Sequence, residues 1–184
     1  DSVKGVLYYF NPRMGAGKAI AEFPLQDGQM VYEDTISRPR HLRFFGWGKG
    51  FPNWVLDLWV EPGGWIDFQG EDKWLNRWTV TTNVGLQKDM LGYEACVAAE
   101  VEEILRLDEE TERGDSLSLK RLRELNNRIV SKGLSYLKTI PVTEAWLDKF
   151  LEIAWYATGQ QDFLASCRPD FQQLYARLPL DWQN

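Results

Sequence analysis

The apolar period of this chain changes once, and that change limits the chain to few architectures. As far as about Thr82, apolar residues fall in short or alternating runs broken by Gly- and Pro-bearing turns; from about Leu91 they recur every three or four residues. Strands followed by helices predict an α+β fold, a mainly antiparallel N-terminal sheet followed by a helical C-terminal half packed on it. At 184 residues the chain reads as a single domain, 1–184, with a β-rich part at 1–83 and an α-helical part at 91–184.

The strand candidates are Val6–Phe10, Ala19–Phe23, Met30–Glu33, His41–Trp47, Trp54–Val60, Trp65–Gln69 and Trp78–Thr82. Asp27-Gly28 between the second and third predicts a hairpin there. Gly48-Lys-Gly50, Pro62-Gly-Gly64 and Gly70-Glu-Asp72 read as further turns. Both parities of Trp54–Val60 carry apolar bulk, which predicts a central strand. In the second half, Val97, Val101, Ile104 and Leu105 line one helix face, and Glu109–Asp115 forms a charged loop. A helix over Leu119–Lys132 places Leu119, Leu122, Leu125 and Ile129 on one side and stops at Gly133. Thr143 caps a helix over Glu144–Thr158 whose buried stripe is Trp146, Leu147, Phe150, Leu151 and Ala154. Two short helices follow, Gln161–Cys167 and Pro169–Arg177, with Pro169 in a first turn.

The net charge of -6 is uneven: residues 1–83 hold nine Lys/Arg and ten Asp/Glu, and residues 84–184 hold twelve and seventeen. That balance argues against a nucleic-acid coat. The two cysteines, Cys96 and Cys167, make no disulfide framework, and with one histidine they cannot build a four-ligand zinc site. No membrane-length apolar run and no secretory-type leader appears, so we expect a cytoplasmic protein; Asp1 rather than Met stands first, which leaves room for leading residues or a processed leader.

Residues 35–51, TISRPRHLRFFGWGKGF, run against the acidic background. They contain Arg38, Arg40, His41, Arg43, Trp47 and Lys49 and no carboxylate. Cations between aromatic rings suit a groove for single-stranded nucleic acid or a docking surface on a protein–RNA complex, and these six residues are the candidate RNA- or partner-binding set. Six of the nine tryptophans lie between residues 47 and 78; most read as core, with Trp47 and Trp65, beside glycines, as the exposed exceptions. Gly15-Ala-Gly17-Lys18 lacks the spacing and the Ser or Thr of a phosphate loop and reads as a hairpin turn. Asp57, Asp67 and Glu71 with Lys73 match the residue types of a magnesium nuclease. His41 would have to serve any Ser–His or Cys–His nucleophile, and reads instead as a partly exposed strand residue. The acidic stretch Glu100–Asp115 and the basic side of Leu119–Lys132 each read as a solvated face or a docking surface. No catalytic set stands out, and we expect a binding or assembly protein, not an enzyme, without metal or cofactor.

The succession VKGVLYYF, GKAIAEF, LQDGQMVYE, an LRFF-type segment and NWVLDLWVEPGGWIDF, over residues 3–69, resembles the small accessory subunit of type III-D CRISPR effector complexes. Gly46–Pro52 departs from that pattern with a lengthened turn. The resemblance implies a non-catalytic subunit of an RNA-guided antiviral ribonucleoprotein, bound to neighbouring subunits and to guide or target RNA, with cutting and signalling left to other subunits. The residues leave two alternatives: a magnesium-dependent nuclease built on Asp57, Glu71 and Lys73, and a free-standing phage or host inhibitor or immunity protein whose acidic half binds a basic target.

Overall fold

The computed structural model describes residues 4–11, 16–24, 31–48, 55–71, 73–110, 116–158 and 160–183. It is an α+β fold: strands β1 (Lys4–Asn11), β2 (Ala16–Pro24), β3 (Arg40–Trp47), β4 (Val55–Val60), β5 (Ile66–Gln69) and β6 (Thr79–Thr82) precede helices α1 (Gly85–Glu110), α2 (Ser116–Leu137), α3 (Glu144–Thr158) and α4 (Gln161–Tyr175). The chain divides into two compact units, Asp1–Lys88 and Asp89–Asn184, and α1 begins in the first and continues in the second. No helix among the described residues is long and apolar enough to cross a membrane.

In the first unit, β2-β1-β3-β4 form one antiparallel sheet and β5-β6 a second. Register explains the core. Leu7 lies opposite Phe44, and Leu42 and Phe44 lie opposite Leu58 and Leu56, so these side chains share one face of the larger sheet. Ile66, Phe68 and Val80 of the smaller sheet, with Trp78 just before β6, pack against that cluster, and the Phe44 and Phe68 rings lie 5.1 Å apart. The Pro62-Gly-Gly64 turn holds as expected: Gly63 has φ +72°, and the Gly64 N–H donates to Glu61 O at 2.9 Å. The hairpin-turn reading of Gly15–Lys18 is corrected in part: Ala16, Gly17 and Lys18 lie in strand β2, paired with Asn11, Phe10 and Tyr9 of β1, and Gly15 lies outside the described residues.

Two strand expectations are corrected. Residues 31–36 form no strand, and Val31 and Tyr32 are exposed; the hairpin partner of β2 is β1, and Asp27-Gly28 lies outside the described residues. β4 is the end strand of its sheet, not a central one. Apolar bulk on both parities reports that both faces are shielded; it says nothing about hydrogen-bonded neighbours along the sheet. The open edge is closed by a side chain. The Trp59 N–H donates to Gln87 Oε1 at 2.6 Å, and Gln87 Nε2 donates to Asp57 O at 3.2 Å. This fully buried amide thus takes the place of a fifth strand's peptide group.

In the second unit, α1 and α2 run antiparallel, and their charges meet. Lys132 donates to Glu100 at 2.7 Å, and Arg121 donates to Glu103 at 2.7 Å. The acidic and basic faces seen in the sequence are in part the two halves of one helix–helix seam. Its ion pair with Lys132 holds the Glu100 carboxyl below the usual carboxylate range. Gly133 does not end α2; it lies inside the helix, where a Cβ would come within 2.7 Å of Ile153 Cδ1 and 2.9 Å of Tyr93 Cε2. Close approach, not a helix stop, accounts for that glycine. The carbonyls at the end of α2 are satisfied from elsewhere: Trp146 Nε1 donates to Leu137 O at 2.8 Å and Arg177 donates to Leu137 O and Ile140 O.

Thr143 caps α3 as predicted, its hydroxyl accepting from the Trp146 N–H at 3.2 Å. The buried stripe of α3 differs from the expectation: Trp146, Phe150, Ile153 and Ala157 face the core, while Leu151 is exposed. The two short C-terminal helices are one, α4, with Pro169 inside it. A proline there removes one helical hydrogen bond. Burial of Cys167 and Leu174 on either side, the Phe171–Phe150 ring contact and the Lys138–Asp170 ion pair hold the helix through it.

Two predictions follow from these contacts. Gln87→Leu should lower stability by about 2–3 kcal/mol in urea unfolding, because it buries an unpaired N–H and C=O at β4. Burial pushes the Tyr93 hydroxyl up from its ordinary 10.0 to about 12. Its folded-state pKa lies above the unfolded one, so the associated stability is fully present below pH 10 and is lost as pH rises toward 12. Stability measured across that window should therefore fall less steeply in Tyr93→Phe than in the parent.

Candidate functional site

The basic-aromatic segment sorts into residues held inside the protein and residues left at its surface. His41, Arg43 and Trp47 share one parity on β3, opposite to the Leu42–Phe44 core parity. Across the ladder, Arg43 faces Asp57 and His41 faces Trp59. Arg43 Nε donates to Asp57 Oδ1 at 2.8 Å, and His41 Nε2 lies 2.8 Å from the same oxygen. A carboxylate only accepts, so that nitrogen carries the proton. The His41 ring stacks on Trp59, centroids 4.7 Å apart and planes 15° from parallel. His41 is 7% exposed, so it is buried instead of being the partly exposed strand residue expected from sequence. The physical reason is cross-strand: a flat ring beside Trp59 and a carboxylate one pair away give the imidazole both an apolar and a polar partner.

The other members lie differently. Arg40, on the core parity but at the strand's start, donates to Asp34 Oδ2 at 3.0 Å with both side chains partly exposed. Arg38 is exposed, and no ion pair engages it among the described residues. Trp47 closes β3 and is 67% exposed. Lys49 lies outside the described residues. The structure thus brings His41 and Arg43 together on one carboxylate, and leaves Arg38 and Trp47 as the outward-facing cation and ring. Trp65 is exposed too, as its neighbouring glycines suggested, while Trp59 and Trp74 are buried.

The nuclease set does not converge. Asp57 belongs to the face of the large sheet turned away from the small one, where it holds His41 and Arg43. Asp67 alternates with the core-packed Ile66 and Phe68 and so points off the outer side of the small sheet, where Gln69 donates to it at 2.9 Å. Glu71 is exposed, and the Lys73 ammonium lies 5.1 Å from the Trp74 ring. Among the described residues no three His, Cys, Asp or Glu side chains are placed to hold a metal ion.

Sequence reasoning assigned Asp57 to the wrong partners and overlooked Gln87. A signal for Asp57 was available: a lone carboxylate between Leu56 and Leu58 in a strand needs a partner, and HLR on the preceding strand supplies it. Gln87 carried no such signal, because its role depends on where the first turn of α1 meets the edge of β4.

Asp57→Ala should destabilise the protein by about 3 kcal/mol, since it removes the carboxylate oxygen that both the buried His41 and Arg43 approach at 2.8 Å. Trp47→Ala should change stability by less than about 0.5 kcal/mol. Paired denaturant melts of the two variants check this division between inner and outer residues.

Comparison with protein-family models, with curated proteins and with solved structures gave no match to this chain.

Proposed function

We propose that the chain is a non-catalytic accessory subunit of a type III-like CRISPR ribonucleoprotein, binding neighbouring protein subunits and, through residues 35–51, guide or target RNA. The observation that carries this reading is the exposed Trp47 indole at the end of the strand that bears Arg40 and Arg43. A tryptophan left out of a core this rich in rings is a suitable anchor for a partner pocket or a platform for a base. Arg38, exposed near the start of the same segment, supplies a cation for phosphate or an acidic side chain. The resemblance over residues 3–69 supplies the class of assembly.

Contacts of this kind are made by Arg38 and Trp47 with a contribution from Arg40, whereas His41 and Arg43 act through the strand by keeping it in register with Asp57. Reversing charge at Arg43 would place two carboxylates together and disturb the monomer, so it cannot serve as a clean test of binding. The test is co-purification from the native host at moderate salt, comparing the parent with an Arg38→Glu/Trp47→Ala double variant. The parent should bring down several protein subunits and a short repeat-derived RNA. The double variant should recover them about tenfold less well with an unchanged melting curve, a loss of roughly 1.4 kcal/mol in affinity. Unchanged recovery by the variant, or recovery of one basic protein without RNA, overturns the reading.

A further inference from the structure

α3 carries apolar side chains on two sides. Beside its buried stripe runs a second row, Leu147, Leu151 and Trp155, repeating every four residues; Leu151 is 47% and Trp155 78% exposed. A helix on the surface of a domain ordinarily keeps that side polar. The start of α2 shows the same excess. Leu119 falls on the side of the helix that buries Val130 and Leu137, yet it is 58% exposed. Leu119, Leu122, Arg123 and Asn126 of α2 and Trp155 and Tyr156 of α3 line a groove of about 530 Å³.

The charge at this groove is opposite to that of its surroundings. Residues 84–184 hold five more acids than bases, but among the described residues no acid lines the groove, and Arg123 lines it with Lys120 nearby on α2. Both are exposed, and among the described residues neither takes part in an ion pair, whereas Arg121 and Lys132 of the same helix are engaged by Glu103 and Glu100. We infer that this groove docks an amphipathic helix of a partner protein, its apolar side chains between Leu119 and Trp155 and its carboxylates at Arg123 and Lys120. Such helices present apolar residues at spacings of three and four, which fit a groove walled by two helices. A nucleic-acid strand fits less well. It needs a row of cations along its path, and here two cations stand at leucine-rich walls in an acidic half-chain. That acidic field also confines the partner's carboxylates to the Arg123 end. The inference concerns the second unit alone and stands separately from the accessory-subunit reading.

The test uses the full chain and fluorescence anisotropy with three labelled probes: a synthetic helix with an apolar stripe and glutamates at one end, its twin with lysines in their place, and oligouridine. The glutamate helix should bind, and the lysine twin should bind about tenfold more weakly. Arg123→Glu should reverse that preference. Trp155→Ala should weaken the glutamate helix about tenfold or more with an unchanged circular-dichroism melt. Equal affinity for the twins, binding unaffected by Trp155→Ala, preference for oligouridine, or no peptide binding together with a dimer dispersed by Trp155→Ala would each overturn the proposal.

Discussion

The buried amide of Gln87 is the constraint on which the first unit depends. An end strand offers unpaired N–H and C=O groups that must reach water or a partner, and β4 is shielded on both faces. Gln87 supplies one acceptor and one donor in the geometry of a peptide group, at 2.6 and 3.2 Å. The two β4 residues it holds are Trp59 and Asp57, the same two whose side chains receive His41 and Arg43. One buried amide therefore fixes the strand that fixes the inner half of the basic-aromatic segment. It also ties the sheet to the first turn of α1, where the chain changes from strands to helices.

Much of the charge that looked available for partners is used internally. Asp57 is shared by a histidine and an arginine, Arg40 pairs with Asp34, and the α1–α2 seam joins Glu100 to Lys132 and Glu103 to Arg121. These pairs range from buried to half exposed, and the exposed ones contribute little stability each. Their effect is to orient: they aim the strands and helices and mask charge that would otherwise attract unspecific partners. Among the described residues, the outward cations that stand near large exposed rings are Arg38, in the segment that ends on Trp47, and Arg123, at the groove with Trp155. Such a surface gives specificity through shape and a handful of anchors, in contrast to the long cation track of a general nucleic-acid binder.

The sequence was legible where one period acts alone. Six of the seven strand candidates, the switch to helices and the Thr143 cap were readable because alternation, turn residues and an N-cap each have a local cause. What failed depends on neighbours distant in sequence. Met30–Glu33 alternates well enough to be a strand, but residues 31–36 join no sheet, and β2 pairs with β1 instead. Gly133 reads as a helix stop until Ile153 and Tyr93 are seen against it, and Pro169 as a first turn until the contacts of Phe171 and Asp170 are counted. Of the candidate site, Trp47 was legible from the glycines beside it. The inward turn of His41 and Arg43 was not, because it is decided by what lies across the ladder at Asp57 and Trp59.

The error on α3 carries the most meaning for function. Apolar residues of this helix satisfy two phases at once, one at Trp146, Phe150, Ile153 and Ala157 and the other at Leu147, Leu151 and Trp155. A periodicity argument merges them into one wide stripe, since it asks only which residues avoid water. The structure separates them, because one face is filled by α2 and α4 and the other is not. Apolar side chains in excess of what the core can bury lower solubility and raise the risk of aggregation. Their presence in phase with one another, four residues apart on a rigid helix, is what a surface evolved to be covered would contain. Trp47 on β3 is the same kind of residue in the other unit: a ring for which the core has no place.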